Sequence, residues 1–132
     1  MLQKERPDEA RLLGLQGNKV LRSRHPWLVV KDFPFQERVV SQTRVVRVFS
    51  REVDDEELTW HRDAEDRTIN VIEGSGWYLQ LDDELPVELK PGSLHFVPTP
   101  TWHRVVKRRG CTNLVVEVSA PQGFKRVDEL GP

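Results

Sequence analysis

Trp60-His61-Arg62-Asp63, then Arg67-Thr-Ile-Asn-Val-Ile-Glu-Gly74, then Lys90-Pro91-Gly92-Ser-Leu-His95-Phe-Val-Pro98-Thr-Pro-Thr-Trp-His103-Arg104: these segments decide how the chain is read. Each places a histidine at the edge of a strand-like apolar run, and glycine or proline punctuates each run. Together they offer a His-x-Asp pair and a distant histidine. Two imidazoles and one carboxylate make up the facial triad of non-haem Fe(II) enzymes. The pattern points to a site and leaves its substrate open.

Outward from these segments the chain reads as strand after strand. Trp27 to Val30 is apolar until Pro34 interrupts. Val39 to Phe49 is rich in β-branched residues and reads as one run. Further strands are expected at Leu58 to His61, Arg67 to Ile72, Trp77 to Leu81, Val87 to Leu89, Leu94 to Val97, His103 to Val106 and Asn113 to Val118. Residues 5 to 13 suggest a short helix, with Asp8 and Glu9 in its first turn and Gly14 and Gly17 after it. Many short strands with turn signals between them argue for an all-β sandwich or barrel. We expect an N-terminal extension over 1–26, one β-barrel over 27–119 and a tail over 120–132. Strand alternation puts Arg67, Ile69 and Val71 on one face, and Thr68, Asn70 and Ile72 on the other.

Composition bounds the function class. A chain of 132 residues has room for one core. A net charge of -1 gives no ground for nucleic-acid binding. No apolar run approaches the ~20 residues of a membrane span. The charged N-terminus does not resemble a secretory signal, and a single cysteine, Cys111, permits no intrachain disulfide. A cytoplasmic protein is expected, with no membrane or nucleic-acid partner.

In this setting the two histidine segments resemble the cupin family. Its first motif runs His-x-His, a loop, a Glu, then a strand into Gly; its second runs Pro-x-Gly, a strand into Pro, then a His. His61, Asp63, Arg67 and Gly74 fall in register with the first motif. Gly92, Pro98 and His103 keep the spacing of the second, although Pro91 stands one residue too close to Gly92. The match covers roughly residues 58 to 106. It implies a double-stranded β-helix, or jelly roll, with a pocket in the barrel mouth. Asp63 stands where the family has its second His, and Arg67 where it has its Glu. The His-x-Asp…His set is also similar to the triad of 2-oxoglutarate-dependent oxygenases. That family's arginine, about ten residues past the distal His, is here Asn113.

The resemblance implies a divalent metal held by His61, Asp63 and His103, with Fe(II) the leading choice and Mn, Ni or Zn also compatible. On residues alone, each histidine is either a ligand or a strand-end imidazole bonded to backbone or to a carboxylate. Asp63 is either a ligand, the ion-pair partner of Arg62 or Arg67, or a turn cap. His95 is a fourth ligand, a base or a satisfied barrel histidine. Arg67 should meet Asp63, Glu65 or an anionic ligand, because an unpaired buried guanidinium is costly. An ion-pair network replacing the metal outright is the main rival.

Glu65 and His95 are candidate bases; Arg67, Trp77, Gln80, Trp102 and Arg104 are candidate substrate contacts. The expectation is a metal-dependent enzyme, dioxygenase-like, acting on a small anionic molecule. Alternatives are an isomerase or lyase, a non-catalytic binding module, and a dimerisation domain paired through Val39 to Phe49. A homodimer is expected on the last ground.

Overall fold

The computed structural model describes residues 27–29 and 33–125. The expected helix over residues 5 to 13 lies outside them. Among the described residues nine strands run in chain order: β1 Leu28–Val29, β2 Gln36–Ser41, β3 Arg44–Phe49, β4 Arg67–Glu73, β5 Trp77–Leu81, β6 Val87–Glu88, β7 Leu94–Val97, β8 His103–Lys107 and β9 Leu114–Ser119. They form a six-stranded sheet, β1-β2-β3-β9-β4-β7, and a three-stranded sheet, β6-β5-β8. Every pairing is antiparallel. This is the jelly-roll arrangement expected of the sequence. Among the described residues no helix is long and apolar enough to cross a membrane.

The core lies between the sheets. Alternation sends Val45 and Phe49 of β3, Val71 of β4, Leu79 of β5, Val97 of β7 and Leu114, Val116 and Val118 of β9 inward. Trp77 is fully enclosed, its ring 5.7 Å from that of Phe49 and its Nε1 donating to the Thr112 carbonyl. Arg67 faces inward with Val71, as alternation required.

Two expectations are corrected. Val39 to Phe49 is a hairpin, not one strand: β2 and β3 pair across Gln42-Thr43, with an irregularity between Val39 and Ser41. The turn contains no glycine or proline; the Ser41 hydroxyl accepts the Thr43 N–H instead (3.1 Å). This segment is also internal, because β3 lies between β2 and β9, so the surface expected to join two chains is already paired. Leu58 to His61 is not a strand either. The acidic run before it closes a 3-10 turn at Asp55–Glu57, with Leu58 N–H bonded to the Asp55 carbonyl. The chain leaves that turn irregularly and touches β8 at one residue, His61.

The β4–β5 turn depends on Gly76, which has φ +83. A Cβ there would stand 2.8 Å from Cys111 Cβ and 2.9 Å from Cys111 Cα. Cys111 is itself buried, so the turn and the start of β9 have no room to separate. Gly76→Ala should therefore lower stability by about 2 kcal/mol or more, from left-handed backbone strain plus overpacking. Urea unfolding with an unchanged m-value is the check; a loss within ~0.5 kcal/mol would mean the turn re-forms around the methyl.

Candidate metal centre

One isolated bridge assembles the site. His61 N–H donates to the His103 carbonyl (2.9 Å), and His103 N–H donates to the His61 carbonyl (2.8 Å). Directly opposed residues of an antiparallel pair put their side chains on one face. The two imidazoles accordingly lie with centroids 4.2 Å apart. Asp63 follows on a loop pinned to the segment after β7. Thr99 Oγ1 donates to the Asp63 carbonyl (2.5 Å), and Thr99 N–H donates to Asp66 Oδ1 (2.8 Å). This pinning substitutes for the strand that His61-x-Asp63 was expected to need.

Both rings are oriented alike. His61 Nδ1 lies 3.1 Å from the Thr59 carbonyl, and His103 Nδ1 lies 2.8 Å from the Thr101 carbonyl. A carbonyl only accepts, so each Nδ1 carries the proton, and in the neutral imidazole each Nε2 presents a lone pair. His103 Nε2 is 3.2 Å from Asp63 Oδ2. That approach lacks hydrogen-bond geometry, and Oδ2 is the buried side-chain atom among the described residues left without a hydrogen bond. With a neutral imidazole two electron-rich atoms face each other in a buried place, an arrangement that a metal ion, or a proton on Nε2, resolves. Adjacent ligands about 2.1 Å from one ion stand about 3 Å apart, close to the observed separation. One donor atom from each of His61, Asp63 and His103 lies within 4.8 Å of the others. The donor set fits a divalent ion.

The electrostatics keep Asp63 a carboxylate. Burial alone would raise its pKa. The Arg67 guanidinium opposes burial and the carboxyl is held well below the usual range, the two imidazoles adding to this only when they carry a proton at Nε2. Arg67 Nη1 is 3.3 Å from Asp63 Oδ1, and Arg67 Nε donates to Glu65 Oε2 (2.6 Å). The expected ion-pair network is therefore present beside the triad: Arg67 takes Oδ1 and leaves Oδ2 toward His103.

The other expected site residues are placed differently. Glu65 is buried and held at both oxygens, Oε1 accepting the Lys125 N–H (2.9 Å). His95 shares β7's inward face with Val97 but is not in the triad. Ser93 Oγ donates its one proton to the Lys90 carbonyl, so His95 Nε2 donates to Ser93 Oγ (2.8 Å) and is no ligand in that state. Burial pushes the His95 pKa below its ordinary value. Trp77 belongs to the core. Gln80 and Arg104 oppose each other across β5 and β8, bonded at 3.0 Å, and Arg104 stacks on Trp60 (4.7 Å). Trp102 stacks with Arg62 (5.1 Å).

A cavity of about 80 Å³ opens on the triad, with room for several waters or a small organic molecule. Phe33, Phe35, Phe49, Leu58, Leu79 and Val105 are among its walls, with Arg47, Arg67 and Glu57 as its other charged side chains. Glu65, His95, Trp77, Gln80, Trp102 and Arg104 are not on those walls. Sequence reasoning missed Arg47 and the phenylalanines. The alternation Val45, Arg47, Phe49 carried the signal, since it puts Arg47 on the face of two core residues.

No family model and no curated protein matches the sequence. Solved structures do match in fold. KdgF from Halomonas sp. is 23% identical, with 81% of this chain and 94% of that chain covered at a TM-score of 0.57. An RmlC-like cupin with a double-stranded β-helix from Methanocaldococcus jannaschii is 16% identical, with 81% and 95% covered at 0.54. HppE in its FeII form is 17% identical, with 74% of this chain but 57% of that longer chain covered, at 0.56. Strand order, barrel and triad agree with one conclusion: this chain is a cupin-fold protein whose His61, Asp63 and His103 can coordinate a divalent ion.

Proposed function

We propose that the protein is a mononuclear Fe(II) oxygenase acting on a small molecule, with His61, Asp63 and His103 as its metal ligands. The observation that carries this reading is Asp63 Oδ2, buried without a hydrogen bond and facing the lone pair of His103 Nε2. Held by these three ligands, Fe(II) would supply the electrons that activate dioxygen. The chain's residues do the rest. Asp63 stays ionised, the two backbone carbonyls fix the imidazoles, and the phenylalanine walls exclude water from the reacting centre.

The substrate we assign is small and mostly apolar. Arg67 is committed to two carboxylates and Arg104 lies off the cavity, so neither supports the anion clamp expected of them.

An isomerase or lyase, with the metal as Lewis acid, needs a protein group to move a proton. Apart from the triad and two arginines in ion pairs, the titratable side chain lining the cavity is the exposed Glu57. That scarcity favours oxygen chemistry. One fold neighbour, HppE, is described with FeII, which agrees with this choice. We also place the protein in the cytoplasm, in keeping with its free, buried Cys111. A homodimer would join through β7, an edge strand that exposes Leu94 and Phe96.

Elemental mass spectrometry of native protein without a histidine tag tests the reading. Near-stoichiometric iron, with dioxygen consumed on addition of substrate candidates, is the expected result. Manganese, nickel or zinc would move the assignment to Lewis-acid chemistry. No metal after anaerobic reconstitution would leave a binding module.

A further inference from the structure

We propose that Arg67 is a positioning residue for the ligand Asp63, and that Glu65 and the C-terminal residues Phe124 and Lys125 hold Arg67 in place. The proposal rests on the metal reading above and adds a line of contacts from residues 124 and 125 to the metal site.

Each link is a contact. Lys125 N–H donates to Glu65 Oε1 (2.9 Å), Glu65 Oε2 accepts from Arg67 Nε (2.6 Å), and Arg67 Nη1 meets Asp63 Oδ1 (3.3 Å). The ring of Phe124 lies under the Arg67 guanidinium, 5.0 Å from Cζ. Asp63, Glu65 and Arg67 are all buried. A carboxylate turns readily about its terminal torsion. Fixing Oδ1 with a planar guanidinium therefore fixes where Oδ2 points, and Oδ2 is the atom that faces His103. The guanidinium is in turn fixed at Nε by Glu65 and on its flat side by Phe124. Residues 120–125 reach this position because Ala120 N–H bonds the Thr43 carbonyl and Gly123 N–H closes a turn onto the Ala120 carbonyl. Glu65 thus works as the middle of this chain of contacts, with both oxygens occupied, which does not suit a general base.

A cationic side chain cannot itself ligate a cation, so the charge at position 67 has this indirect use. Partners that orient a metal ligand typically change affinity 10–100-fold when removed.

The test is a titration of the full-length apoprotein with Mn(II) alone, followed by electron paramagnetic resonance, below the unfolding temperature of each variant. Phe124→Ala and Glu65→Gln should weaken Mn(II) binding about tenfold or more. Both should also alter the bound Mn(II) spectrum, a signature that a purely structural loss elsewhere would not change. Arg67→Lys, which keeps the charge but loses the fork, should weaken binding too. Phe96→Ala, an equal truncation on the outer face of β7, should leave affinity unchanged. Wild-type protein that binds no Mn(II), Fe(II) or Zn(II) would overturn the metal reading itself. Wild-type binding with unchanged affinity and spectrum in Phe124→Ala and Glu65→Gln would overturn the positioning role alone.

Discussion

Replacing His103 with alanine is expected to weaken metal binding by about two to three orders of magnitude while the protein stays folded. Structural metal sites with four ligands are worth about 10–16 kcal/mol, or roughly 2.5–4 kcal/mol per ligand. That is a factor of about a hundred or more for each ligand lost. The fold should survive because the bridge between His61 and His103 runs through backbone N–H and carbonyl groups, which alanine retains. Asp63 also keeps its contact with Arg67. Holo wild type should lose thermal stability on chelation, since an ion that binds only the native state stabilises it by mass action, whereas His103→Ala should respond little. The measurements are metal content after reconstitution and melting temperature with and without chelator. Unchanged affinity in His103→Ala would remove it from the ligand set and leave the 3.2 Å approach to Asp63 as a plain ion pair.

The site was readable in the sequence in proportion to how local its causes were. His61 and His103 stood out because turn residues around them suggested strand ends; His103 does begin β8, whereas His61 reaches the site through a single bridge to it. The inward aim of Arg67 followed from alternation, and its need for carboxylate partners followed from the cost of burying a charge. What the sequence hid depended on distant contacts. Asp63 converges with the histidines through Thr99, more than thirty residues on, rather than through a strand of its own. Glu65 resembles a free base in the sequence until Lys125, at the other end of the barrel segment, is seen to occupy its second oxygen. Trp77, Gln80, Trp102 and Arg104 drew attention by nearness in sequence to the motifs. Pairing with β8 instead places Gln80 against Arg104, with Trp60 stacked on Arg104, while Trp77 enters the core. The hairpin was missed because its turn relies on a serine hydroxyl, a weaker signal than glycine or proline.

Arg47 is where fold and site meet, and Glu37→Leu is expected to cost about 3–5 kcal/mol. Glu37 and Arg47 are direct partners in the β2–β3 register, with Nε donating to Oε1 at 2.6 Å. Glu37 is 1% exposed and Arg47 8%, so solvent does little to screen the pair. The arginine also lies over the Phe35 ring, 4.2 Å away, on the cavity wall. Removing the carboxylate takes away the 2.6 Å partner of a buried cation that lies against Phe35, and that cost dominates. Replacing both partners, Glu37→Leu with Arg47→Met, should restore most of the stability, because apolar residues of similar size satisfy the same space. The coupling from urea unfolding of both single variants and the double variant should be several kcal/mol. A Glu37→Leu loss below ~1 kcal/mol would mean that Arg47 reaches water and is not fixed at the cavity.

If apolar residues serve stability as well, the pair must be retained for something else, and the strand pattern supplies it. β2 is irregular between Val39 and Ser41, and its Val39-Val40 step offers an apolar side chain to either face. Sliding the hairpin by one residue would turn Glu37 outward and leave Arg47 facing the core without its partner. The buried pair thus penalises the wrong register more than it stabilises the right one. The double variant should accordingly unfold near the wild-type midpoint yet show more than one set of amide resonances for β2 in nuclear magnetic resonance spectra. A single set would place the register in the turn at Ser41 and Thr43 instead.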